Sequence, residues 1–267
     1  MLNNITIGQY FPGNSFLHRM DPRAKIIATT IFVVAIFLAD SPLAYGIVGG
    51  FTIFAMLLSR LPLSLMWNAI KPLWIIIVFT MGIHIFTTPG NTIFQWGIIN
   101  ITDHGVAMGL QMAARLIFLI LFSSLLTYTT SPIHLTDGIE HLLNPFRRIG
   151  VPAHELAMMM TIALRFIPTL LDETDRIMKA QSARGADFVT GSIIQRAKNM
   201  VPLLVPLFIS AFRRADELAI AMEARCYRGG VNRTRMKELQ VTYVDYIGVG
   251  AVILVTIVLI LLWWLGL

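Results

Sequence analysis

Two tripeptides, Ala183-Arg184-Gly185 and Ala224-Arg225-Cys226, repeat the same chemistry 41 residues apart. Each sets a guanidinium between small residues near the polar end of a helix-forming stretch. A guanidinium is a flat fork of five donors, suited to carboxylates and to backbone carbonyls lining a groove. Its small neighbours let a partner's backbone come close. Either arginine alone is explained as well by the helix dipole, which favours a cation at a C-terminus. The pairing points instead to two equivalent sockets on two equivalent partners. Other constellations compete with this one. His134, Asp137, Glu140 and His141 are spaced so that three could share a helix face and bind a metal, and a solvated face is the plainer reading. His154-Glu155 lacks a second histidine four residues on, so it is no zinc-protease motif. Met158, Met159 and Met160 offer an adaptable surface, or ordinary helix packing. Arg115 stands in an apolar run, as a functional intramembrane charge, a snorkelling side chain or a polar contact to a neighbouring helix. No G-x-x-x-x-G-K-[ST] occurs, so no P-loop is expected. Asn100-Ile101-Thr102 has the glycosylation pattern, which matters only in a host that glycosylates.

The elements that must position these groups are set by hydropathy. The 267 residues are 56% hydrophobic and 13% charged, with mean hydropathy +0.70, against about 25% charged in a soluble domain. The net charge of +6 would suggest nucleic acid in a soluble protein. Here the positive-inside bias accounts for it, and no nucleic acid is expected as a partner. A single cysteine excludes an internal disulfide and an all-cysteine metal site. A span needs about 20 apolar residues to cross ~30 Å of hydrocarbon. Spans are expected at about 24–40, 43–59, 72–87, 105–128 and 244–266, with a polar loop over 88–104. No signal peptide is expected, because the apolar run begins late and 37-FLADS-41 makes a poor cleavage site. Gly46/Gly50 and Gly105/Gly109 fit close helix packing.

Of the 21 Lys and Arg residues, all but Arg115 fall at or beyond the ends of spans that share one side. That side is cytoplasmic by the positive-inside rule. The N-terminus and residues 130–243 are therefore expected inside and the C-terminus outside. The expected domains are an N-terminal membrane part (1–129), a cytoplasmic module (130–243) and a C-terminal span (244–267). Within the module, Pro132 to Asn144 reads as a short amphipathic helix. A second helix opens at Pro152, turns charged at 172-DETDRIMKAQ-181 and is broken by Gly185. A third begins near Ser192, turns charged at 213-RRADE-217 and is stopped by Gly229-Gly230. Shifted by 41 residues, the second helix lies on the third: Met159 on Met200, Asp175 on Asp216, Arg184 on Arg225. Each has an apolar half carrying prolines (Pro168, Pro202, Pro206) and a polar half ending in arginine. The fold class is thus an all-α integral membrane protein of about five spans, with about three amphipathic helices inserted before the last.

With these features the chain resembles the transmembrane T component of energy-coupling factor (ECF) transporters. The two Ala-Arg-small tripeptides and the stretch 12-PGNSFLHRMDPRAK-25 carry the likeness, which covers essentially the whole chain. Cys226 stands where glycine is common, and a small residue is expected to serve the same purpose. The resemblance implies a non-catalytic subunit of a bacterial plasma-membrane importer. It implies two ATP-binding cassette ATPases as partners, the same or different, and one small membrane S component that captures substrate. Ala183, Arg184, Gly185, Ala224, Arg225 and Cys226 would contact the ATPases. Met158, Met159, Met160, Leu203, Leu204 and Phe208 would face the S component. No cofactor is expected on this chain; ATP and Mg²⁺ would sit on the ATPases. Vitamins are the expected cargo, with a dedicated cobalt/nickel or biotin system as the alternative. A self-contained secondary transporter would need a site near Arg115 and His84, and repeats in the membrane part. An intramembrane enzyme would need facing catalytic residues in spans whose polar groups are mostly serine and threonine.

Overall fold

The computed structural model describes residues 10–96, 99–186, 188, 192–229 and 239–266. Its chain divides into two compact units, one of Gln9–Gly138 with Leu239–Leu267, the other built on Ile139–Glu238.

The first unit opens with a short helix α1 (Phe16–Arg19), capped by Ser15. In α2 (Pro22–Phe37), Asp21 caps the first turn and Pro22 occupies the first helical position, where its missing N–H costs nothing. Ser41 and Pro42 repeat the device at α3 (Pro42–Ser59). A run from α4 (Leu63–Ile70) through a 3₁₀ turn (Lys71–Leu73) to α5 (Trp74–Thr87) comes next. Then follow α6 (Asp103–Thr129), whose cap Thr102 accepts from Gly105 N, and the terminal α10 (Tyr243–Leu265).

Phe32, Ile36, Val48, Leu125 and Leu259 are buried where α2, α3, α6 and α10 meet. The Phe32 ring lies 4.1 Å from Phe122 and 5.1 Å from Phe51, centroid to centroid. In a bilayer such contacts act through close packing, since lipid is as apolar as the core. Gly105 and Gly109 allow that packing. A Cβ on Gly105 would stand 2.9 Å from Ile85 O, and one on Gly109 3.0 Å from Met81 O, so α6 and α5 touch backbone to side. Gly46 and Gly50, expected to act alike, face open space; Gly49 instead meets the Phe118 ring.

One end of this unit is tied by buried charges. Lys25 Nζ donates to Thr129 O at 2.9 Å and to Thr130 Oγ1 at 3.0 Å. Asp245, 2% exposed, accepts from Asp21 N at 2.6 Å, Thr242 N at 2.7 Å and Thr242 Oγ1 at 2.9 Å. Buried charges are tolerated when so bonded, and these join the start of α2, the end of α6 and the start of α10.

Among the described residues five helices are long and apolar enough to cross a membrane: Pro42–Ser59, Leu63–Thr87, Asp103–Thr129, Ala153–Ala183 and Tyr243–Leu265. The protein is a multi-pass, mainly helical membrane protein. The set differs in one member from the expected spans. The element at 24–40 has only 16 helical residues, about 24 Å at 1.5 Å per residue, because Asp21-Pro22 fixes its start and Asp40-Ser41-Pro42 its end. The helix Ala153–Ala183, expected in the inserted module, is long and apolar enough to join that set. The expected polar loop holds a hairpin, β1 (Thr92–Trp96) antiparallel to β2 (Ile99–Thr102), with Thr92 opposite Thr102 and Trp96 opposite Ile99. Its β-branched and aromatic residues favour pairing over coil.

The division between the units falls within α7 (Pro132–Leu143), which runs into a 3₁₀ turn (Asn144–Ile149) ended by Gly150. Two long helices follow, α8 (Ala153–Ala183) and α9 (Ile193–Ala224), each continuous through its internal prolines. Ser192 caps α9 by accepting from Gln195 N.

Candidate functional site

Both tripeptides are helix C-caps of one type. At the end of α8, Gly185 N donates to Ser182 O and Ala186 N to Gln181 O, both at 3.0 Å. At the end of α9, Cys226 N donates to Glu223 O at 2.9 Å and Tyr227 N to Met222 O at 3.0 Å. These are the two bonds of a Schellman cap, position for position. Alanine is the last helical residue, arginine the cap, and the third residue turns left-handed. Gly185 has φ +92° and Cys226 φ +56°. The third position is therefore chosen for handedness as well as size, and Cys226 is one of two described non-glycine residues with positive φ. Glycine enters that region freely; other residues pay roughly 1–2 kcal/mol. The expected stop of α9 at Gly229-Gly230 moves upstream, to Cys226, for the same reason; Gly230 lies outside the described residues.

All six tripeptide residues are exposed. The cap geometry aims each arginine's backbone out of the helix and leaves its side chain in solvent. Each arrangement sets an exposed guanidinium between small residues, a geometry suited to gripping a partner.

The two helices run antiparallel in contact. Arg214 Nη2 donates to Glu173 Oε2 at 2.9 Å. An open groove of about 300 Å³ lies between Ile162, Phe166 and Leu170 of α8 and Ala215, Leu218 and Met222 of α9. Farther along, the Tyr227 hydroxyl meets His154 Nε2 at 3.3 Å, and His154 Nδ1 meets Glu140 Oε1 at 3.1 Å. The residue next to the second tripeptide thus touches the first turn of α8, while the first tripeptide caps its far end. The 31 residues of α8 put about 46 Å of helix between them.

The methionines divide: Met159 and Met160 are exposed, Met158 half-buried. On α9, Leu204 and Phe208 are exposed and Leu203 is buried. Glu140, weighed as a metal ligand, is engaged by His154. Among the described residues no three His, Cys, Asp or Glu side chains converge as a metal site. Arg115 makes the polar contact: Nη2 donates to Ala39 O at 2.8 Å and to Asp40 Oδ1 at 3.2 Å. Its guanidinium lies 5.8 Å from the Phe37 ring and 5.9 Å from Tyr45. It staples the α2–α3 turn to α6. The pairings of His154 with Tyr227 and of Glu173 with Arg214 are not foreseen from the sequence. Their one visible signal is that Glu173 and Arg214 are 41 residues apart, the spacing of the tripeptides.

A family model described as cobalt transport protein (CbiQ) matches residues 13–237. Among curated proteins, the chain is 64% identical over 239 residues to the energy-coupling factor transporter transmembrane protein EcfT of Acidaminococcus fermentans, covering 90% of this chain and 89% of that one. It is 56% identical over 265 residues to EcfT of Brevibacillus brevis, covering 99% of each. It is 50% identical over 240 residues to EcfT of Bacillus subtilis, covering 90% and 91%.

Proposed function

This chain belongs to the family of energy-coupling factor transporter transmembrane proteins, and from that premise we propose that Arg184 and Arg225 each dock into one of two cytoplasmic ATPase subunits. The chain is a coupling subunit of an ECF-type ABC importer and not an enzyme. The matched pair of exposed arginine caps, held at opposite ends of one antiparallel helix pair, carries the docking reading. Two identical caps suit two ATPases of the same fold, identical or paralogous. Ala183, Gly185, Ala224 and Cys226 keep the approach open to a partner's backbone. ATP and Mg²⁺ belong to those subunits.

The apolar halves of α8 and α9 then receive the S component. Met159, Met160, Leu204 and Phe208 offer an exposed apolar surface, with Met158 and Leu203 beneath it. Methionine suits a surface that must accept different partners. This supports a shared coupling subunit for vitamin uptake over a dedicated metal-ion or biotin system. The lysine and arginine distribution supports a plasma-membrane orientation with the N-terminus and 130–243 in the cytoplasm and the C-terminus outside.

The test is co-purification of the intact complex. Arg184→Ala or Arg225→Ala should each weaken ATPase retention roughly 30-fold, as for a buried interface arginine worth about 2 kcal/mol. The double variant should lose the ATPases altogether. Wild-type retention by the double variant would sink the docking role. Mass spectrometry of the same preparation identifies the small membrane subunits: several kinds mark a shared system, one kind a dedicated one.

A further inference from the structure

The charged segments of α8 and α9 are inverted at three positions, while Asp175 falls on Asp216 with the same sign. At the 41-residue offset, Asp172 falls on Arg213, Glu173 on Arg214 and Arg176 on Glu217. Three equivalent positions thus carry opposite charges. In the structure, one of these equivalences is a direct contact: Arg214 Nη2 to Glu173 Oε2, 2.9 Å. A residue that meets its own equivalent lies on a local two-fold axis between two copies of one helix. Like charges there would repel, and opposite charges join the copies. Glu173 and Arg214 are half-buried, while Asp172, Arg213, Arg176 and Glu217 are exposed.

The position is also central. Glu173 lies 11 residues before Arg184, and Arg214 lies 11 before Arg225, about 16 Å of helix in each case. Because the helices are antiparallel, these are equal arms pointing opposite ways. Beside the pair, an open groove of about 300 Å³ runs between the two helices, so no side chain fills that flank of the crossing. We propose that the Glu173–Arg214 ion pair is the pivot of the two coupling helices, fixing where they cross while leaving their angle free. Resting on the docking of both arginine caps, this makes Glu173 and Arg214 positioning residues for the transmission of ATPase motion.

A pair 26% and 32% exposed adds little to global stability, so the single reversals are expected to fold. The experiment uses the full-length chain in lipid nanodiscs, spin-labelled at the native Cys226 and at Ser182→Cys. Pulsed EPR reads the distance between the two tips. Glu173→Arg and Arg214→Glu should each broaden and shift the distribution, and the double swap Glu173→Arg/Arg214→Glu should restore it. A native distribution in the single variants overturns the pivot. If the single variants fail to accumulate, the swap alone decides: a native distribution supports the pivot and a broad one overturns it. ATPase co-purification by the same variants separates the two ideas. Retained ATPases with a displaced distribution support the pivot. Retained ATPases with both arginine caps removed sink the docking reading whatever the distance shows.

Discussion

At the scale of single residues, the tripeptides show how a short motif can serve fold and contact together. Each arginine occupies a Schellman cap that needs a left-handed residue directly after it, so the helix end and the exposed cation are specified by the same three letters. Gly185 meets that need without strain; Cys226 does so at φ +56°. Cys226→Gly should therefore stabilise the protein by about 1 kcal/mol, since glycine removes the Cβ conflict of the left-handed turn. Gly185→Ala should destabilise it by a similar amount. Thermal melting in detergent reads both, and the two shifts should have opposite signs. Equal or same-signed shifts would mean that the cap is not under conformational strain. The prediction separates handedness from size, because alanine and cysteine are both small.

Among elements, the sequence was most legible where local chemistry decides. The helix start near Ser192 and the breaker Gly185 could be placed from residue types alone, because each satisfies backbone groups within its own turn. The apolar runs of α3, α6 and α10 were equally plain. Longer-range features were not. The short α2, expected as a span over 24–40, is held to 16 helical residues between Asp21-Pro22 and the Asp40-Ser41-Pro42 turn. Lys25 and Asp245 read as flanking charges, because nothing local says that Thr129 O and Asp21 N will bond them. The antiparallel contact of α8 and α9 depends on pairings such as His154 with Tyr227, 73 residues apart. Glycines illustrate the same limit: Gly46/Gly50 and Gly105/Gly109 are alike in spacing, yet one pair faces open space and the other faces α5. Gly109→Leu should push α6 off Met81 and Ile85 and cost about 1–3 kcal/mol as overpacking. Gly50→Leu, with no neighbour to strike, should be neutral or slightly stabilising through helix propensity. Accumulation in the membrane and melting temperature measure both, and equal damage from the two substitutions would refute the α5–α6 contact.

For the whole molecule, Cys226 is a natural reporter of which side of the membrane each part faces. It is the chain's one cysteine and it is exposed, so the unaltered protein can be labelled without background from other thiols. The orientation proposed from the charge bias has Cys226 facing the cytoplasm. Reversing the orientation would send twenty of the 21 basic side chains to the outer face, against the strongest known determinant of topology. A membrane-impermeant maleimide should leave intact cells unlabelled and label inverted vesicles fully. The same reagent also tests docking, because Cys226 adjoins Arg225. In inverted vesicles that retain the ATPases, labelling should slow markedly, and stripping the ATPases should restore its rate. Labelling from outside intact cells would overturn the orientation. Equal rates with and without bound ATPases would place the second tripeptide away from their interface, leaving the orientation standing.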